Sequence, residues 1–594
     1  MMSRQSMIVA LLTAFSVFSS GAEPAAPAPA ASSAVKPAVE NWPDRDWLLA
    51  GLVNSVPAIL KSFDPATGEF GTKPWISTDQ NVLFPLAVAW AAQSPKNPYY
   101  HDPKLLEVIG KGGEKLVDAQ DAKGMWVFRK KDNSTWGDIH MPWVYSRWIR
   151  AYLLVKDALP AEQRAKWEKG LKLGYSRIAD YCKGKNYHNI NTYHAMGLYA
   201  AGVAFDNPEW CDIASRFMAG VIGKQSEDGF WSENHGPVVG YNFVYLDALG
   251  IYYAMSKDPA ALNALRRGAQ FHSALLWTDG SSVSAVDERN PYHKAKRPGN
   301  VGFSWTPEGR WYLANYFAGE DGKRPAIYPD TAATMLLEGG TGEIAAPASA
   351  GEQGYYLSQD GKFAVIRHRP WQWCFSAYAC PAPNNRWIMD RQDAVEIFHD
   401  GFGVLAGGGN SKMQPYFSTF TFGNPASFQP DYSTDKPNFA GPADLRYVPD
   451  AATIDGNTIS LRYGENRASV TVTPQEGGKL AITCRLDAKP DAEAAANMPL
   501  LFNAGDKLLL GSGKTVELTK TPVTISGREA AGSFSCRGVR IEFPENATLR
   551  YPVTGFNPYH KLGQGATPRL VLTLPLSESQ MASTVFITTA SSKP

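Results

Sequence analysis

The fold of this chain is indicated by one stretch, Thr192-Tyr-His-Ala-Met-Gly-Leu-Tyr-Ala-Ala-Gly-Val-Ala-Phe205, then Asp206-Asn-Pro208, then Glu209-Trp-Cys-Asp-Ile-Ala-Ser-Arg-Phe-Met-Ala-Gly-Val-Ile222. Apolar residues recur at helical spacing on both sides of the break. Asn207 and Pro208 supply an N-cap and a first-turn proline, so they start a second helix. The stretch therefore predicts two helices joined by a short turn.

The same pattern repeats from about Trp42 to Leu337. Blocks with helical spacing of apolar residues are separated there by Gly, Pro, Asn and Asp. They predict an all-helical domain of repeated antiparallel pairs. The predicted helices run from Trp47 to Phe63, Leu105 to Ala119, Trp143 to Leu159, Ala161 to Cys182, Thr192 to Phe205, Glu209 to Ile222, Tyr241 to Met255 and Ala260 to Leu276.

After about Ala346 the pattern changes to short alternating runs separated by turn residues, which predict an antiparallel β-sandwich or stacked sheet. The Gly- and Ala-rich segment from Glu338 to Gly354 is the expected joint. The sequence thus predicts an α+β multidomain protein, with a helical domain over residues 41–340 and a sheet domain over residues 352–594. The clearest strand patterns are Phe363 to Arg367, Ala394 to Phe398, Thr458 to Tyr463, Ala468 to Thr473, Leu480 to Cys484 and Leu570 to Leu574.

The N-terminus has the pattern of a secretory signal. Arg4 precedes an apolar run from Met7 to Phe18, and Ser20-Gly-Ala22 is a small-residue cleavage pattern. We therefore expect a signal peptide over residues 1–22, followed over residues 23–40 by a linker of mostly Ala, Pro and Ser. This predicts export to the periplasm or the extracellular space. No later apolar run is long enough to span a membrane.

Charge and cysteine content exclude several classes of function. The chain has 58 Lys and Arg against 57 Asp and Glu, so no overall charge favours a nucleic-acid partner. An acidic polysaccharide can still bind to a local basic patch. The six cysteines form no CxxC pair, and Cys374 with Cys380 is the nearest pair for a disulfide. Nothing indicates a nucleotide or organic cofactor, and the oligomeric state is open.

The first cluster of polar residues is His188-Asn-Ile-Asn-Thr-Tyr-His194, at the start of a predicted helix. Asn191 directly precedes the helical pattern, so its plainest role is an N-cap. A cap explains one residue of the cluster, however, while His188, Asn189 and His194 lie within the same two turns. We therefore expect at least one of the four to have a role in a functional site.

The second cluster runs from Asp228-Gly-Phe-Trp-Ser-Glu233 through Asn234 and His235 to Tyr241, where a helix begins. Glu233, Asn234 and His235 are candidate substrate contacts, although His235 also fits a surface loop. Tyr241 and Tyr245 lie one helical turn apart, and two readings stay open for them. They pack into the core as an aromatic stripe, or they face a site.

Further candidates are Trp136, Asp138 and His140, just before the helix that starts near Trp143. A tryptophan can stack on a sugar, although core packing explains most tryptophans equally well. Asp138 fits a helix cap as well as a ligand contact.

In the sheet half, a polar segment runs from Asn385 to His399. Arg386 and Arg391 are candidates for gripping a carboxylate, because guanidinium groups bind carboxylates through two hydrogen bonds. The alternative is a structural ion pair with Asp390 or Asp393.

These segments resemble the heparinase II/III-like polysaccharide lyases and the related alginate lyases. His188-Asn-Ile-Asn-Thr-Tyr193 is similar to the family's Asn/His motif, and Asp228 to Tyr241 is similar to its "DG…E…GY" motif. Arg391-Gln-Asp-Ala-Val-Glu-Ile-Phe398 is similar to the family's His-Ala-Asp-Ala-Leu strand. The resemblance implies an incomplete (α/α) toroid followed by an antiparallel β-sandwich. The chain departs from the family in the Asn-His order and at Arg391, where the family has a histidine.

By this resemblance the protein is a secreted lyase that cleaves a uronic-acid-containing polysaccharide by β-elimination. Tyr241 is the implied base and acid, Asn189 or Asn191 neutralises the substrate carboxylate, and His188 or His194 is the helper histidine. The substrate is an acidic polysaccharide or oligosaccharide. The candidate substrate-binding residues are Glu233, Asn234, His235, Tyr245, Arg386, Arg391, His399, Trp136 and His140.

Two other classes of function stay open. An (α/α)-toroid glycoside hydrolase needs a pair of carboxylates, for which Asp138, Glu233, Asp247, Asp287 and Glu288 are candidates. A non-catalytic glycan-binding protein needs only an aromatic-rich cleft.

Elimination chemistry needs no cofactor. A structural metal ion in the sheet domain is a further alternative, with His368, His399 and Asp400 as ligands.

Overall fold

The computed structural model describes residues 42–289, 298–317, 324–347, 350, 353–380, 384–428, 431, 433–434, 437–558 and 560–589. The predicted signal peptide and linker lie outside these residues. Within them, no helix is both long enough and apolar enough to cross a bilayer.

The first half of the chain is helical, as predicted, and each of the eight predicted helices is present with ends shifted by a few residues. The sequence patterns missed the short apolar helix α2 and the three helices that follow α9. The helices are α1 (Arg45–Lys61), α2 (Leu83–Ala91), α3 (Pro103–Asp118), α4 (Pro142–Val155), α5 (Ala161–Cys182), α6 (Asn189–Ala204), α7 (Pro208–Ile222), α8 (Val239–Ser256), α9 (Pro259–Ala274), α10 (Val301–Ser304), α11 (Pro307–Phe317) and α12 (Pro329–Glu338).

The predicted N-cap is correct for helix α7 and wrong for helix α6. Asn207 caps α7 as expected, because its side chain accepts a hydrogen bond from the backbone N–H of Trp210 at 3.1 Å. The predicted N-cap role of Asn191 is wrong. Helix α6 already begins at Asn189, and Asn191 lies in its first turn with Nδ2 donating to the carbonyl of Asn186 at 3.0 Å.

The helices form two layers around a common core. Helices α2, α4, α6, α8 and α12 contact one another in turn as an inner ring, and the odd-numbered helices pack outside them. Ion pairs reinforce the ring between α4 and α12. Arg147 binds Asp330 through two hydrogen bonds of 2.6 Å, and Arg150 lies 3.0 Å from Glu338. The bidentate pair fixes the orientation of both side chains as well as their distance.

A two-stranded hairpin interrupts the helices between α3 and α4. It consists of β1 (Trp126–Arg129) and β2 (Thr135–Ile139). Asp138 lies in β2 and therefore is not a helix cap; α4 is preceded instead by Met141, which makes no side-chain cap. The hairpin precedes His140 directly, so it borders the region of the predicted histidine cluster.

The second half of the chain is built from antiparallel strands, which confirms the predicted α+β architecture. Helix α12 ends at Glu338 and β3 begins at Gln353, on either side of the expected joint. The strands are β3 (Gln353–Leu357), β4 (Phe363–His368), β5 (Trp371–Ser376), β6 (Val395–His399), β7 (Gly403–Ala406), β8 (Phe420–Phe422), β9 (Ala451–Asp455), β10 (Thr458–Tyr463), β11 (Asn466–Pro474), β12 (Leu480–Leu486), β13 (Ala494–Leu500), β14 (Lys507–Leu510), β15 (Thr515–Glu517), β16 (Val523–Ser526), β17 (Ser533–Cys536), β18 (Val539–Glu542), β19 (Thr548–Val553), β20 (Arg569–Leu576) and β21 (Ala582–Thr589).

These strands form two stacked sheets. One sheet has the order β15-β14-β17-β18-β21-β12-β11-β10-β9, and the other β16-β19-β20-β13-β7-β6-β5-β4-β3, with β8 also pairing with β13. Their inner faces share one apolar core, because successive side chains of a strand point to opposite faces. In β10, for example, Ile459, Leu461 and Tyr463 are buried while Ser460 and Arg462 are exposed.

The helical half packs against the outer face of the sheet that contains β4 to β6. A separate apolar cluster joins the two halves, with Phe271 and Trp277 from the helical side and Phe363 and Phe398 from the sheet side. The rings of Trp277 and Phe398 stack at 5.2 Å between centroids. The helical half and the sheet half therefore form one packed body. Contacts from the sheet half can fix the position of residues in the helical half.

The six cysteines are all unpaired. The suggested disulfide between Cys374 and Cys380 is therefore absent. Both thiols are buried, and burial raises the pKa of each.

Candidate active site

Tyr241 lies in the first turn of α8, half-buried. This helix has no side-chain cap at Val238. Instead, the carboxylate of Asp287 accepts a hydrogen bond from the backbone N–H of Val239 at 3.1 Å. A carboxylate is favourable at a helix N-terminus, where backbone N–H groups point outward. Asp287 therefore fixes the turn that carries Tyr241.

Arg289 contacts Tyr241 directly, and the sequence patterns did not single it out. Its Nη1 donates to the Tyr241 hydroxyl oxygen at 2.9 Å, and the guanidinium carbon lies 5.1 Å from the centre of the ring. Its Nε is buried and has no hydrogen-bond partner within the described ranges. Arg289 therefore offers a second N–H donor beside the tyrosine. The signal in the sequence was its position directly after Asp287 and Glu288.

Tyr245 lies one turn beyond Tyr241 and is buried. Its ring stacks on Trp231 at 4.8 Å between centroids with the planes 11° apart. The backbone N–H of Asn189 donates to its hydroxyl, so this tyrosine joins α8 to the start of α6. Burial and the nearby Glu233 both raise the pKa of Tyr245. It therefore stays protonated and has a packing role at the floor of the site.

Glu233 is half-buried beside these residues, and in the described part of the chain its carboxyl group makes neither a hydrogen bond nor an ion pair. Burial is the main cause that raises the pKa of Glu233. Arg289 opposes this effect and Glu288 adds to it. Glu233 is thus a carboxyl group held where ionisation is disfavoured.

Glu288 organises the loop that contains Glu233. Its two carboxylate oxygens accept hydrogen bonds from Asn234 Nδ2 and from the backbone N–H of His235, each at 2.7 Å. The side-chain amide of Asn234 is therefore engaged within the protein. The imidazole of His235 is exposed.

The segment from Ser284 to Arg289 is held by the sheet half. Glu396 on β6 accepts from the backbone N–H groups of Ser284 and Ala285 at 2.9 and 2.8 Å, and from Trp277 Nε1 at 3.0 Å. The backbone N–H of Met389 donates to the carbonyl of Glu288 at 3.2 Å. The β-sandwich therefore sets the position of the segment that ends in Arg289.

Arg391 belongs to the same connection. The guanidinium donates to the carbonyl oxygens of Val286 at 2.8 Å and His235 at 3.3 Å, and lies 3.8 Å from Glu288. Only 2% of the residue is exposed. Among the described residues, the guanidinium does not bind Asp390 or Asp393, the suggested ion-pair partners. This geometry favours a role in joining two loops over the expected contact with a substrate carboxylate.

The histidines of the first cluster lie close together. His194 is buried, and burial together with the neighbouring His140 and His188 lowers the pKa of His194 to about 3. His140 bonds through Nε2 to the carbonyl of Lys123 at 2.9 Å and through Nδ1 to the Tyr181 hydroxyl at 3.2 Å. Half-buried His188 contacts the side chain of Asn189, and burial lowers its pKa too. These are neutral imidazoles, and His188 is better placed than His194 to meet a ligand.

Asn189 combines two contacts at the start of α6. Its backbone N–H reaches Tyr245, and its side-chain oxygen accepts from the backbone N–H of Ile190 at 2.7 Å. The same side chain is hydrogen-bonded to His188. Asn189 therefore fits the expected donor to a substrate carboxylate better than Asn191, whose amide is used by Asn186.

Two expected substrate contacts, Arg386 and His399, lie elsewhere in the structure. Arg386 donates to the carbonyls of Pro558 and His560 within the sheet half. His399 is the last residue of β6, which at about 3.3 Å per residue places it roughly 13 Å beyond the start of the strand, the end nearer to Arg391. Trp136, by contrast, is 62% exposed on the hairpin, and its ring packs against Phe128 at 5.4 Å.

No group of three or more His, Cys, Asp or Glu side chains suited to a metal ion occurs in the described residues. The suggested ligands are engaged otherwise. His399 Nδ1 accepts from the backbone N–H of Gly401 at 3.0 Å, and Asp400 binds Arg369 at 2.6 Å. His368 contacts Gln353.

No protein-family model and no curated protein matches this sequence. Solved structures do match. Chondroitin AC lyase from Streptomyces coelicolor A3, in complex with chondroitin sulphate, has a TM-score of 0.51 at 14% identity, covering 94% of this chain and 81% of that one. The fold is that of this chondroitin lyase. A mutant of the same lyase has a TM-score of 0.50 at 13% identity, with the same coverage of 94% and 81%. Heparan sulfate lyase HepC from Pedobacter heparinus has a TM-score of 0.48 at 13% identity, covering 93% and 84%.

At these identities the likeness establishes the fold alone. It confirms the predicted order of a helical toroid followed by a β-sandwich.

Proposed function

We propose that this protein is an exported polysaccharide lyase that cleaves a uronic-acid-containing polysaccharide by β-elimination. The observation that carries the proposal is the hydrogen bond from Arg289 to the hydroxyl oxygen of Tyr241. A fixed cation at a phenol oxygen stabilises the negative charge that appears when the phenol loses its proton. The pair thus equips Tyr241 to act as a base.

In the proposed reaction, ionised Tyr241 takes the proton from C5 of the uronate. The electron pair of the C5–H bond forms the C4=C5 double bond, and the C4–O bond breaks with its electron pair going to oxygen. The proton then passes from Tyr241 to that oxygen, which restores the phenolate. One residue serves as base and as acid, as general acid–base catalysis allows when both atoms lie within hydrogen-bond reach.

The negative charge that grows on the substrate carboxylate during C–H cleavage has to be balanced in place. Arg289, which already bonds to Tyr241, and the side-chain amide of Asn189 are the candidates for this. His188 lies beside Asn189 and supplies a neutral imidazole. The chemistry therefore needs no cofactor, and none is part of the proposal.

The disposition of the carboxylates disfavours a glycoside hydrolase. Such an enzyme needs two carboxyl groups that face the scissile bond. Asp247 accepts the hydroxyl of a buried tyrosine, Asp287 accepts two backbone N–H groups, and Glu288 accepts an amide and a backbone N–H. Asp138 is exposed on the hairpin. Glu233 alone of the five has a half-buried carboxyl group without a partner in the described structure.

Trp136 on the hairpin is a further candidate for contact with a sugar. Its exposed ring, flanked by Lys130 at 5.2 Å from the ring centre, suits stacking on a sugar of an anionic chain. This feature also fits a non-catalytic glycan-binding protein. A lyase and a glycan-binding protein are distinguished by whether the glycan is cleaved.

The decisive experiment is an absorbance screen, because elimination creates an unsaturated uronate that absorbs in the near ultraviolet and hydrolysis does not. The panel contains chondroitin, heparan sulfate, alginate, ulvan and rhamnose-glucuronate glycans. Tyr241→Phe should abolish the signal while binding remains. The matched control is Tyr252→Phe on the same helix, whose hydroxyl contacts Ser215 and Asp258 away from the site.

Three results contradict the proposal. Reducing ends released without any rise in absorbance indicate a hydrolase. Binding that persists with no turnover of any glycan indicates a binding protein. Full activity of Tyr241→Phe removes the tyrosine from the mechanism even if the protein is a lyase.

A further inference from the structure

Tyr181 is an exposed tyrosine at the same end of the helices as Tyr241. It lies in the last turn of α5, and six residues later the chain starts α6 at Asn189. Short connections join α4, α5, α6 and α7 as antiparallel neighbours, so the inner helices α4, α6 and α8 all begin at this end. Tyr181 is 46% exposed, and the reaction above does not use it.

His140 fixes which atom carries the proton of the Tyr181 hydroxyl. Nε2 of His140 lies 2.9 Å from the carbonyl oxygen of Lys123, and a carbonyl only accepts, so Nε2 carries the hydrogen. A neutral imidazole has a single N–H, so Nδ1 accepts the O–H of Tyr181 at 3.2 Å. Burial lowers the pKa of His140, which keeps the ring neutral at pH 7. The one hydroxyl proton of Tyr181 is therefore used within the protein.

The ring of Tyr181 is close enough to Tyr241 for one ligand to contact both residues. It lies 5.5 Å from the ring of His140 and 6.3 Å from the ring of His194 on α6, measured between centroids. Helix α6 contacts α8, which carries Tyr241, and packed helices lie about 8–10 Å apart. The two tyrosines are therefore about one or two helix spacings apart, a separation that an oligosaccharide can bridge.

We infer that Tyr181 is a specificity-determining residue that binds a free hydroxyl group on a sugar adjoining the cleaved bond. The inference rests on the proposed function. Because its proton is held by His140, the exposed oxygen of Tyr181 can only accept a hydrogen bond from a ligand. Its ring adds apolar surface against which a sugar can pack.

This polarity defines the class of substrate. A sugar hydroxyl has a hydrogen to donate to the Tyr181 oxygen. A sulfate ester at the same position has no hydrogen and places negative charge against the oxygen lone pairs, which leaves both groups without a partner. The site therefore selects a uronate polysaccharide that is unsulfated at this sugar.

His140 acts through Tyr181 and is a positioning residue. The sequence suggested it as a substrate contact, but only 4% of the residue is exposed and both ring nitrogens bond within the protein. Without His140 the Tyr181 hydroxyl can turn its proton toward the ligand. Loss of the imidazole should therefore relax the discrimination against sulfate.

The test measures binding without turnover by using the Tyr241→Phe protein as the parent. Calorimetry at pH 7 compares hexasaccharides of unsulfated chondroitin, of the unsulfated heparan backbone and of alginate, each before and after chemical O-sulfation. Adding Tyr181→Phe keeps the ring and removes the acceptor oxygen. The Kd of the unsulfated hexasaccharide that binds should rise roughly three- to tenfold, as for loss of one neutral hydrogen bond. The Kd of its sulfated form should not rise.

Two further variants separate the acceptor from general effects. His140→Phe should lower the Kd of the sulfated hexasaccharide relative to the parent, because the freed O–H can donate to sulfate. Tyr100→Phe is the matched control. Tyr100 is 37% exposed and stacks on His101 at 4.2 Å, but it lies between the end of α2 and the start of α3, at the opposite end of the helices. It should leave every Kd unchanged.

Circular dichroism and thermal melting verify that each variant is folded, and Tyr181→Phe alone decides the inference if His140→Phe is not. The inference is overturned if Tyr181→Phe changes no Kd, if it weakens the sulfated and unsulfated forms equally, or if none of the hexasaccharides binds. Failure of the proposed function looks different. In that case Tyr181→Phe has the expected effect on binding, but the unsubstituted protein forms no unsaturated product from any of these glycans.

Discussion

Asn410 of the sheet half is hydrogen-bonded to the segment that carries Arg289 in the helical half. Its amide nitrogen donates to the carbonyl oxygens of Ala285 at 3.1 Å and Asp287 at 3.3 Å. Its amide oxygen accepts from the backbone N–H groups of Gln392 and Asp393, each at 3.0 Å. One side chain thus joins the strand region before β6 to the segment that places a cation on Tyr241.

Asn410→Ala should therefore lower turnover more than its effect on stability implies. The substitution leaves buried backbone groups unsatisfied, at roughly 1–3 kcal/mol each in unfolding free energy. A shift of the segment by about 1 Å can cost on the order of 10²-fold in kcat. The measurements are urea unfolding and kcat on the glycan that gives the strongest absorbance signal.

The matched control is Asn497→Ala. Asn497 is equally a buried asparagine, and it bonds to Ser418, Thr421 and Thr573 within the sheet half. It should lose similar stability while kcat stays near that of the unsubstituted protein. Equal loss of kcat in both variants would show that turnover follows general stability and not the position of Arg289.

Arg289→Ala should reduce kcat by about 10²–10³-fold, which is typical for removal of one donor that stabilises developing negative charge. Arg289→Lys keeps the charge but not the two-directional donor geometry, so it should recover only part of the loss. Arg266→Ala serves as the control, since within the described ranges its guanidinium makes a hydrogen bond to Asn263 and no other. Wild-type kcat in Arg289→Ala would remove this cation from the mechanism.

Much of the architecture was predictable from sequence because it depends on local patterns. Helical spacing and an Asn-Pro cap located α7, and strict alternation located β10 at its observed limits. Helix α2 was missed because it is short and apolar on all sides, so it shows no periodicity.

The site was only partly predictable, for a different reason. Tyr241 and Asn189 lie in recognisable segments, but Arg289 acquires its meaning only when the sheet half brings its segment onto α8. Arg391 matched the expectation for a carboxylate ligand, yet the residue is buried and its two Nη groups donate to the carbonyls of Val286 and His235. Contacts between residues far apart in sequence decide which of several similar side chains can still bind a ligand. Such contacts cannot be predicted from a local sequence pattern.

Acid should destabilise the fold through His194. Burial lowers the pKa of this imidazole from 6.5 to about 3, so in the folded state it stays neutral while the unfolded chain takes up a proton. The unfolded state therefore binds more protons between pH 6.5 and 3, and stability is lost as pH falls through that window. The slope from this one group approaches about 1.4 kcal/mol per pH unit.

Urea unfolding at pH 7, 6, 5 and 4 measures this slope. His194→Gln cannot take up the proton, so its stability should fall less steeply with acid, whatever its stability at pH 7. His368→Gln is the control, because His368 is exposed and its imidazole bonds to Gln353 on the neighbouring strand. Identical slopes for the unsubstituted protein and His194→Gln would mean that the imidazole is already charged in the folded state.

The cysteines give a prediction that is independent of activity. All six are unpaired and five are buried, with Cys211 partly exposed. A thiol reagent should therefore modify Cys211 first in the native protein and the other cysteines only on unfolding. The reactive form is the thiolate, and burial raises the pKa of Cys182 and Cys484 to about 12. Mass spectrometry of peptides after timed labelling identifies the modified residues. Cys211→Ser should remove the fast phase, and a native protein with fewer than six thiols after denaturation without reductant would show that a disulfide forms despite this structure.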